Sequence, residues 1–149
     1  MKYTEEVRDL FAVPDDYYLA HCISADFGMG KGIAVEFNKR FDMKKKLNAK
    51  YRNFLWLWNI SADWNGVCVL EGRVFNLITK RNYWNKPTYN TLTRALKCMK
   101  MLALHNNINK IAMPRIAAGL DRCQWFKVSE IIKEVFEDTD IEILVCKQN

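Results

Sequence analysis

His21-Cys22-Ile23-Ser24-Ala25-Asp26-Phe27-Gly28-Met29-Gly30-Lys31-Gly32-Ile33-Ala34 takes the chain out of an apolar extended segment, through three closely spaced glycines, and into a helical pattern. Upstream, Tyr17–Ser24 has the apolar and β-branched content of a buried strand. Downstream, Ile33, Phe37 and Phe41 recur every four residues, so a helix starting near Gly32 turns them toward a sheet and leaves Glu36, Lys39 and Arg40 in water. A strand that empties through glycines into a helix is half of a strand–helix–strand unit. The stretch therefore predicts a layered α/β fold.

The rest of the chain agrees with that unit. Val67–Glu71, Val74–Thr79, Lys110–Ile116 and Ile141–Cys146 read as further strands, and Tyr3–Val7 as an edge strand of the same sheet. Leu92, Ala95, Leu96, Met99, Leu102 and Ala103 form one helical stripe, and Val128, Ile131, Ile132, Val135 and Phe136 another. Lys44–Trp64 has no clean period. It combines the basic run Lys44–Lys46 with Phe54, Trp56, Trp58 and Trp64, and reads as helix plus loop. Basic residues among aromatics can grip a nucleic-acid strand, yet aromatics of this size usually bury themselves on a sheet, which is the reading preferred here.

A length of 149 residues, 50% apolar and 27% charged, predicts one globular domain over 1–149. The charged N-terminal stretch lacks the apolar run of a signal or membrane span, and an intracellular, cytoplasmic monomer with no membrane contact is expected. Five scattered cysteines suit free thiols in a reducing compartment. Two histidines and no Cys/His cluster give neither a metal site nor a Ser-His-Asp triad, so neither metal nor cofactor is expected. A net charge of +6 favours anionic partners.

In open α/β sheets ligands bind beyond the carboxyl ends of strands, which directs attention to three segments. The glycine turn at 28–32 lets backbone approach a phosphate, and the helix behind it presents free amides; glycines also serve as simple caps. Val74–Thr79 ends in Lys80, a position that is ordinarily solvated but that becomes a nucleophilic amine if desolvated beside a cleft. Lys110–Ile116 runs into Ala117-Ala118-Gly119-Leu120-Asp121. Pro114 cannot donate in a ladder, so the strand frays or lies at an edge there, leaving the amides of Ile116–Leu120 for an anion. Asp121 reads either as a first-turn carboxylate of the next helix or as an acid/base.

Taken together, RDLF at Arg8–Phe11, LAHCIS at Leu19–Ser24, MGKGIAV at Met29–Val35, LITK at Leu77–Lys80, KPTY at Lys86–Tyr89 and MPRIAAGLD at Met113–Asp121 with Gln124-Trp125 resemble the macro domain family. The branch they resemble is that of the terminal ADP-ribose protein glycohydrolases. The motifs follow the family order and cover all but roughly the Phe41–Gly66 region.

The resemblance implies a three-layer α/β/α macro domain with a mixed, six-stranded central sheet and ADP-ribose lying across the strand ends. It makes Lys80 the nucleophile and Asp121 the acid/base. Asp9 and Leu10 receive the adenine, and His21 and Ser24 the distal ribose. Met29, Gly30, Lys31, Gly32, Ile33 and Ala34 flank one side of the diphosphate; Pro114, Arg115, Ile116, Ala117, Ala118, Gly119 and Leu120 flank the other, with Thr79 beside Lys80. Two departures stand out: alanine at 117, where the branch commonly has glycine, and Lys31 inside the glycine turn, which either pairs with the diphosphate or points to solvent.

The activity implied is hydrolysis of mono-ADP-ribose from Glu or Asp esters, giving free ADP-ribose, with an ADP-ribosylated protein or nucleic acid as partner. Alternatives that share the cleft are removal of ADP-ribose from thymidine in DNA, dephosphorylation of ADP-ribose 1″-phosphate, deacetylation of O-acetyl-ADP-ribose, and a reader that binds without catalysis.

Overall fold

The computed structural model describes residues 1–148. Six strands, β1 (Lys2–Val7), β2 (Tyr18–Ser24), β3 (Val67–Glu71), β4 (Val74–Lys80), β5 (Lys110–Met113) and β6 (Glu142–Lys147), form one sheet in the order β1-β6-β5-β2-β4-β3. All neighbours are parallel except the β3–β4 hairpin, so the sheet is mixed. The edge position of β1 agrees with the sequence.

The helices α1 (Ile33–Phe41), α2 (Met43–Lys50) and α3 (Phe54–Ile60) cover one face, and α4 (Tyr89–His105) and α5 (Trp125–Phe136) the other. Strand alternation divides the core accordingly. On β4, Phe75 and Leu77 pack with Leu92, Leu96 and Met99 of α4, whereas Val74 and Ile78 pack with Phe37, Met43 and Leu47. A strand covered on both faces must be largely apolar on both, which explains the mostly apolar run before Lys80, where Asn76 and Thr79 are the buried polar exceptions. Thr88 caps α4 through a reciprocal bond with Thr91, and of the predicted stripe Leu92, Ala95, Leu96, Met99 and Ala103 are buried while Leu102 is partly buried.

Two sequence readings change. The predicted strand Lys110–Ile116 stops at Met113 in the middle of the sheet, because Pro114 has no amide for the ladder and its carbonyl instead accepts from Ile116 in a turn. Lys44–Trp64 holds two short helices and a 3-10 turn at Ala62–Trp64 rather than one helix plus loop. Phe54 is buried as expected, but Trp56 is 60% exposed.

Strands β2 and β5 pair only through Tyr18–Ile111 and Leu19–Ala112 and then part. Their chains leave toward opposite faces, β2 into α1 and β5 into α5. A crevice must open where neighbouring strands diverge in this way, and this is where the site lies.

Candidate active site

The crevice is a cleft of about 1480 Å³. It runs from Asp9 and Leu10 after β1 to Lys80 and Asp121 at its other end, between the 28–34 turn and the 114–121 loop. A space of this size exceeds that of an ordinary small-molecule pocket and suits an elongated ligand.

Lys80 and Asp121 come together across 41 residues of sequence. Lys80 Nζ lies 2.6 Å from Asp121 Oδ1, and the two side chains are only 14% and 13% exposed. Asp121 is not at a helix start: α5 begins at Trp125 behind Gln124, so the first-turn reading gives way to an ion pair. Its loop is closed at its base by Cys123 N donating to the Ala117 carbonyl at 2.7 Å.

Ser24, Gly30, Lys31, Gly32, Ile33 and Ala34 line the cleft from one side, and residues 114–120 from the other. Gly32 has φ 63° and ψ −154°, a conformation essentially restricted to glycine, and a Cβ there would meet Leu120 Cδ1 at 3.2 Å. Gly30 faces open space. The amides of Gly30, Lys31 and Gly32 bind no acceptor among the described residues, nor do those of Ala117, Gly119 and Leu120. Ile116 and Ala118 differ from the sequence expectation: their amides are spent on the carbonyls of Pro114 and Arg115. Asp9 lies at the far end with one carboxylate oxygen accepting from Phe11 N at 2.9 Å.

Three expected residues are placed elsewhere. His21 is fully buried, stacked on Phe37 at 3.9 Å with its Nε2 2.6 Å from Asn76 Oδ1, and burial pushes its pKa down to about 4. Met29 fills the core beneath α1, and Thr79 is buried beside α4, where its carbonyl accepts from Thr91 Oγ1. Strand alternation accounts for His21 and Thr79: each points to the helices that its apolar neighbours at i±2 pack against.

Asp26 is a residue the sequence reading left without a role. Its carboxylate accepts from Ser24 Oγ, from the amides of Gly28 and Tyr83 at 3.1 Å each, and from Asn82 Nδ2 at 3.4 Å. Those bonds hold its pKa below the usual value although burial pushes the other way. Asp26 thus ties the glycine turn to the segment after Lys80, and the Asp-x-Gly pattern at 26–28 is the turn signal that could have disclosed it. The segment it holds brings Tyr83 and Trp84 to the cleft, again without notice from the sequence.

The fold and cleft define a macro domain. The chain aligns with the macrodomain of Mycobacterium tuberculosis DarG at TM-score 0.78 and 19% identity, over 99% of this chain and 97% of that one. It also aligns with Thermosipho africanus DarTG in complex with ADP-ribose at TM-score 0.73 and 15% identity, over 98% of this chain and 41% of that one. No family-level sequence model matches. In sequence, the chain is 45% identical over 141 residues to human ADP-ribose glycohydrolase OARD1, covering 92% of this chain and 86% of the human protein. It therefore belongs to the family of macro-domain ADP-ribose glycohydrolases, as the motifs implied.

Proposed function

We propose that this chain hydrolyses the ester joining mono-ADP-ribose to a Glu or Asp side chain, with Lys80 as nucleophile and Asp121 as acid/base. The observation that carries this reading is the 2.6 Å contact between these two little-exposed groups at one end of a long cleft. The ligand lies with its adenine at Asp9 and Leu10, where the second Asp9 oxygen remains to accept from the amino group. Its diphosphate lies between the unbonded amides of 30–32 and those of 117, 119 and 120, and its distal ribose reaches Ser24 and Lys80. Backbone amides suit this task because they bring partial positive charge close without needing counter-ions.

An ammonium cannot attack, so the reaction begins with a proton passing from Lys80 to Asp121. The amine lone pair then bonds to C1″ of the distal ribose while the bond from C1″ to the acyl oxygen breaks with its electron pair. Asp121 returns its proton to the departing carboxylate. Water next adds to C1″ with Asp121 as base, the C–N bond breaks, Lys80 is regenerated and ADP-ribose leaves. These steps draw on no metal or cofactor.

The test is release of ADP-ribose from a glutamate-linked mono-ADP-ribosylated protein. Lys80→Ala should lower kcat by about a thousandfold or more while ADP-ribose affinity holds within about threefold, because the nucleophile makes little of the ground-state binding. Turnover that persists in Lys80→Ala would end the nucleophile assignment. The net charge of +6 supports a second acceptor for the same pair, thymidine-linked ADP-ribose in DNA, to be assayed in parallel.

A further inference from the structure

The acceptor departs from C1″, the carbon beside Lys80. Whatever lies beyond the broken bond is therefore close to the residues that follow Lys80, four of which line the cleft. These are Arg81-Asn82-Tyr83-Trp84-Asn85-Lys86, and they form a firmly held turn. Asn82 N donates to Asn85 Oδ1 at 2.9 Å and Asn85 N to the Asn82 carbonyl at 3.0 Å. Asp26 accepts from Tyr83 N and from the buried Asn82 side chain, and Arg81 Nε donates to Asn59 Oδ1 at 2.8 Å.

Two large aromatic side chains stand on this turn in water: Tyr83 is 55% exposed and Trp84 65%. Their rings meet edge to face at 4.9 Å, and the other side of Tyr83 lies against Gly28, where even a methyl group would come within 3.1 Å. Tyr83 is thus backed by Gly28, and Trp84 is the more exposed ring of the pair. Both line the same cleft as Lys80 and Asp121. Lys31 and Lys86 line it too, and Arg81 is bonded only to the neutral amides of Asn59 and Asn82. None of these three cations has a carboxylate within ion-pair distance among the described residues. The cleft thus holds an exposed aromatic pair and two lysines unpaired among the described residues, with Arg81 on the same turn as the rings, while two of its three carboxylates, Glu36 and Asp121, are taken by Arg40 and Lys80.

We propose that Trp84, braced by Tyr83, determines acceptor specificity: it packs against the polypeptide flanking the modified carboxyl side chain, and Lys31, Arg81 and Lys86 select an acidic flank. The proposal rests on Lys80 and Asp121 being the hydrolytic pair. A polypeptide fits better than a nucleic-acid strand. Such a strand is gripped by successive aromatic platforms, whereas Tyr83 and Trp84 stand at 87° to each other and do not make two parallel platforms. A peptide needs a single well-placed anchor. The Asp26 clasp fixes that anchor beforehand, so little ordering cost falls on binding.

The experiment compares kcat/KM for two esters: an acidic peptide carrying ADP-ribose on one glutamate, and ADP-ribosyl-glutamate with no flanking residues. In Trp84→Ala the ratio of peptide to free glutamate should fall about tenfold, with the loss in KM, and Trp84→Phe should recover much of it. Replacing the flanking acids by Gln should lower wild-type kcat/KM on the peptide several-fold at low salt, in keeping with attraction to Lys31, Arg81 and Lys86. Equal losses on both esters in Trp84→Ala would overturn the proposal, since Trp84 would then act on the reacting end. No change on either would overturn it as well. A loss confined to a thymidine-linked ADP-ribosyl oligonucleotide would transfer the surface to nucleic acid. Wild type inert toward both esters would remove the hydrolytic reading and this proposal together, a pattern unlike that of an active wild type with an indifferent Trp84→Ala.

Discussion

The two walls of the cleft do similar work and are secured in different ways. The 28–34 wall is pinned from within: α1 rests through Phe37 on His21, His21 is bonded to Asn76, and Asp26 gathers four donors beneath the turn. The 114–121 wall sets Ile116 and Ala117 into the core, but its polar ties lie at the rim. Arg115 Nη2 reaches Glu5 at 3.3 Å, the Trp125 indole donates to the same carboxylate at 3.1 Å, and one backbone bond closes the loop on Ala117. A wall rooted in buried polar groups is coupled to global stability, because leaving such groups unsatisfied carries the full cost of desolvation. A wall held at the surface can be altered locally, and it is this second wall that carries Asp121, the group whose proton must move.

The largest effect that separates the walls should come from pH. Burial favours neutral His21, whose pKa falls from the ordinary 6.5 to about 4. Between those values the unfolded chain binds a proton that the folded chain does not. Stability from this residue is therefore complete above about pH 6.5, declines as pH falls, and levels off below about pH 4. At about 1.4 kcal/mol per pH unit the gap is worth at most about 3–4 kcal/mol. Urea unfolding at pH 7 and at pH 4.5 should show most of that loss, and His21→Gln, which keeps an amide opposite Asn76 but does not titrate, should flatten the slope. A variant as pH-sensitive as wild type would locate the effect elsewhere.

The same contrast bears on what could be read from the sequence. Strands and helices were legible because apolar residues recur at two and at 3.6, and because Gly32 and Pro114 mark real boundaries. The resemblance sets His21 at the distal ribose, whereas the strand period points the other way: Leu19, His21 and Ile23 share one face, the one under α1. Lys80 and Asp121 were each ordinary in isolation. Their pairing is a tertiary fact, 41 residues apart, and only the resemblance to a family joined them beforehand. Tyr83 and Trp84 leave no trace in any periodic pattern, since their turn is neither strand nor helix and is held in part by Asp26, more than fifty residues away in the turn after β2. The Lys44–Trp64 region stayed ambiguous because Trp56 is exposed and Phe54 buried within one short helix, so apolarity there does not report burial.

Gly32→Ala comes second in size. The residue combines positive φ with ψ −154°, which a Cβ disfavours by about 1–3 kcal/mol, and the added methyl would press on Leu120 from the other wall. A loss of about 2 kcal/mol in denaturant unfolding is expected. Weaker binding of ADP-ribose should accompany it, because the displaced Leu120 belongs to the loop that faces the diphosphate. An unchanged midpoint would mean that the turn relaxes freely and that the first wall is less rooted than its buried bonds indicate.

Ala117→Gly probes the other wall, and here the expected change is small. Ala117 has φ 60°, so its Cβ costs about 1 kcal/mol relative to a comfortable backbone, and glycine would relieve that. But the methyl is also buried, only 6% exposed among Ile116, Val128 and their neighbours, and removing one buried carbon forfeits about 0.8 kcal/mol. Glycine adds a further entropic cost of about 0.5–1 kcal/mol on folding. The losses slightly exceed the relief, so stability should fall by only about 0.3–0.8 kcal/mol. The two walls thus hold residues at almost the same φ with opposite tolerance: at 32 the ψ value and Leu120 exclude a side chain, whereas at 117 a packed methyl offsets its own strain. A loss well beyond 1 kcal/mol in Ala117→Gly would show that the second wall, too, depends on its core contact, and the distinction between walls would fail at its weakest point.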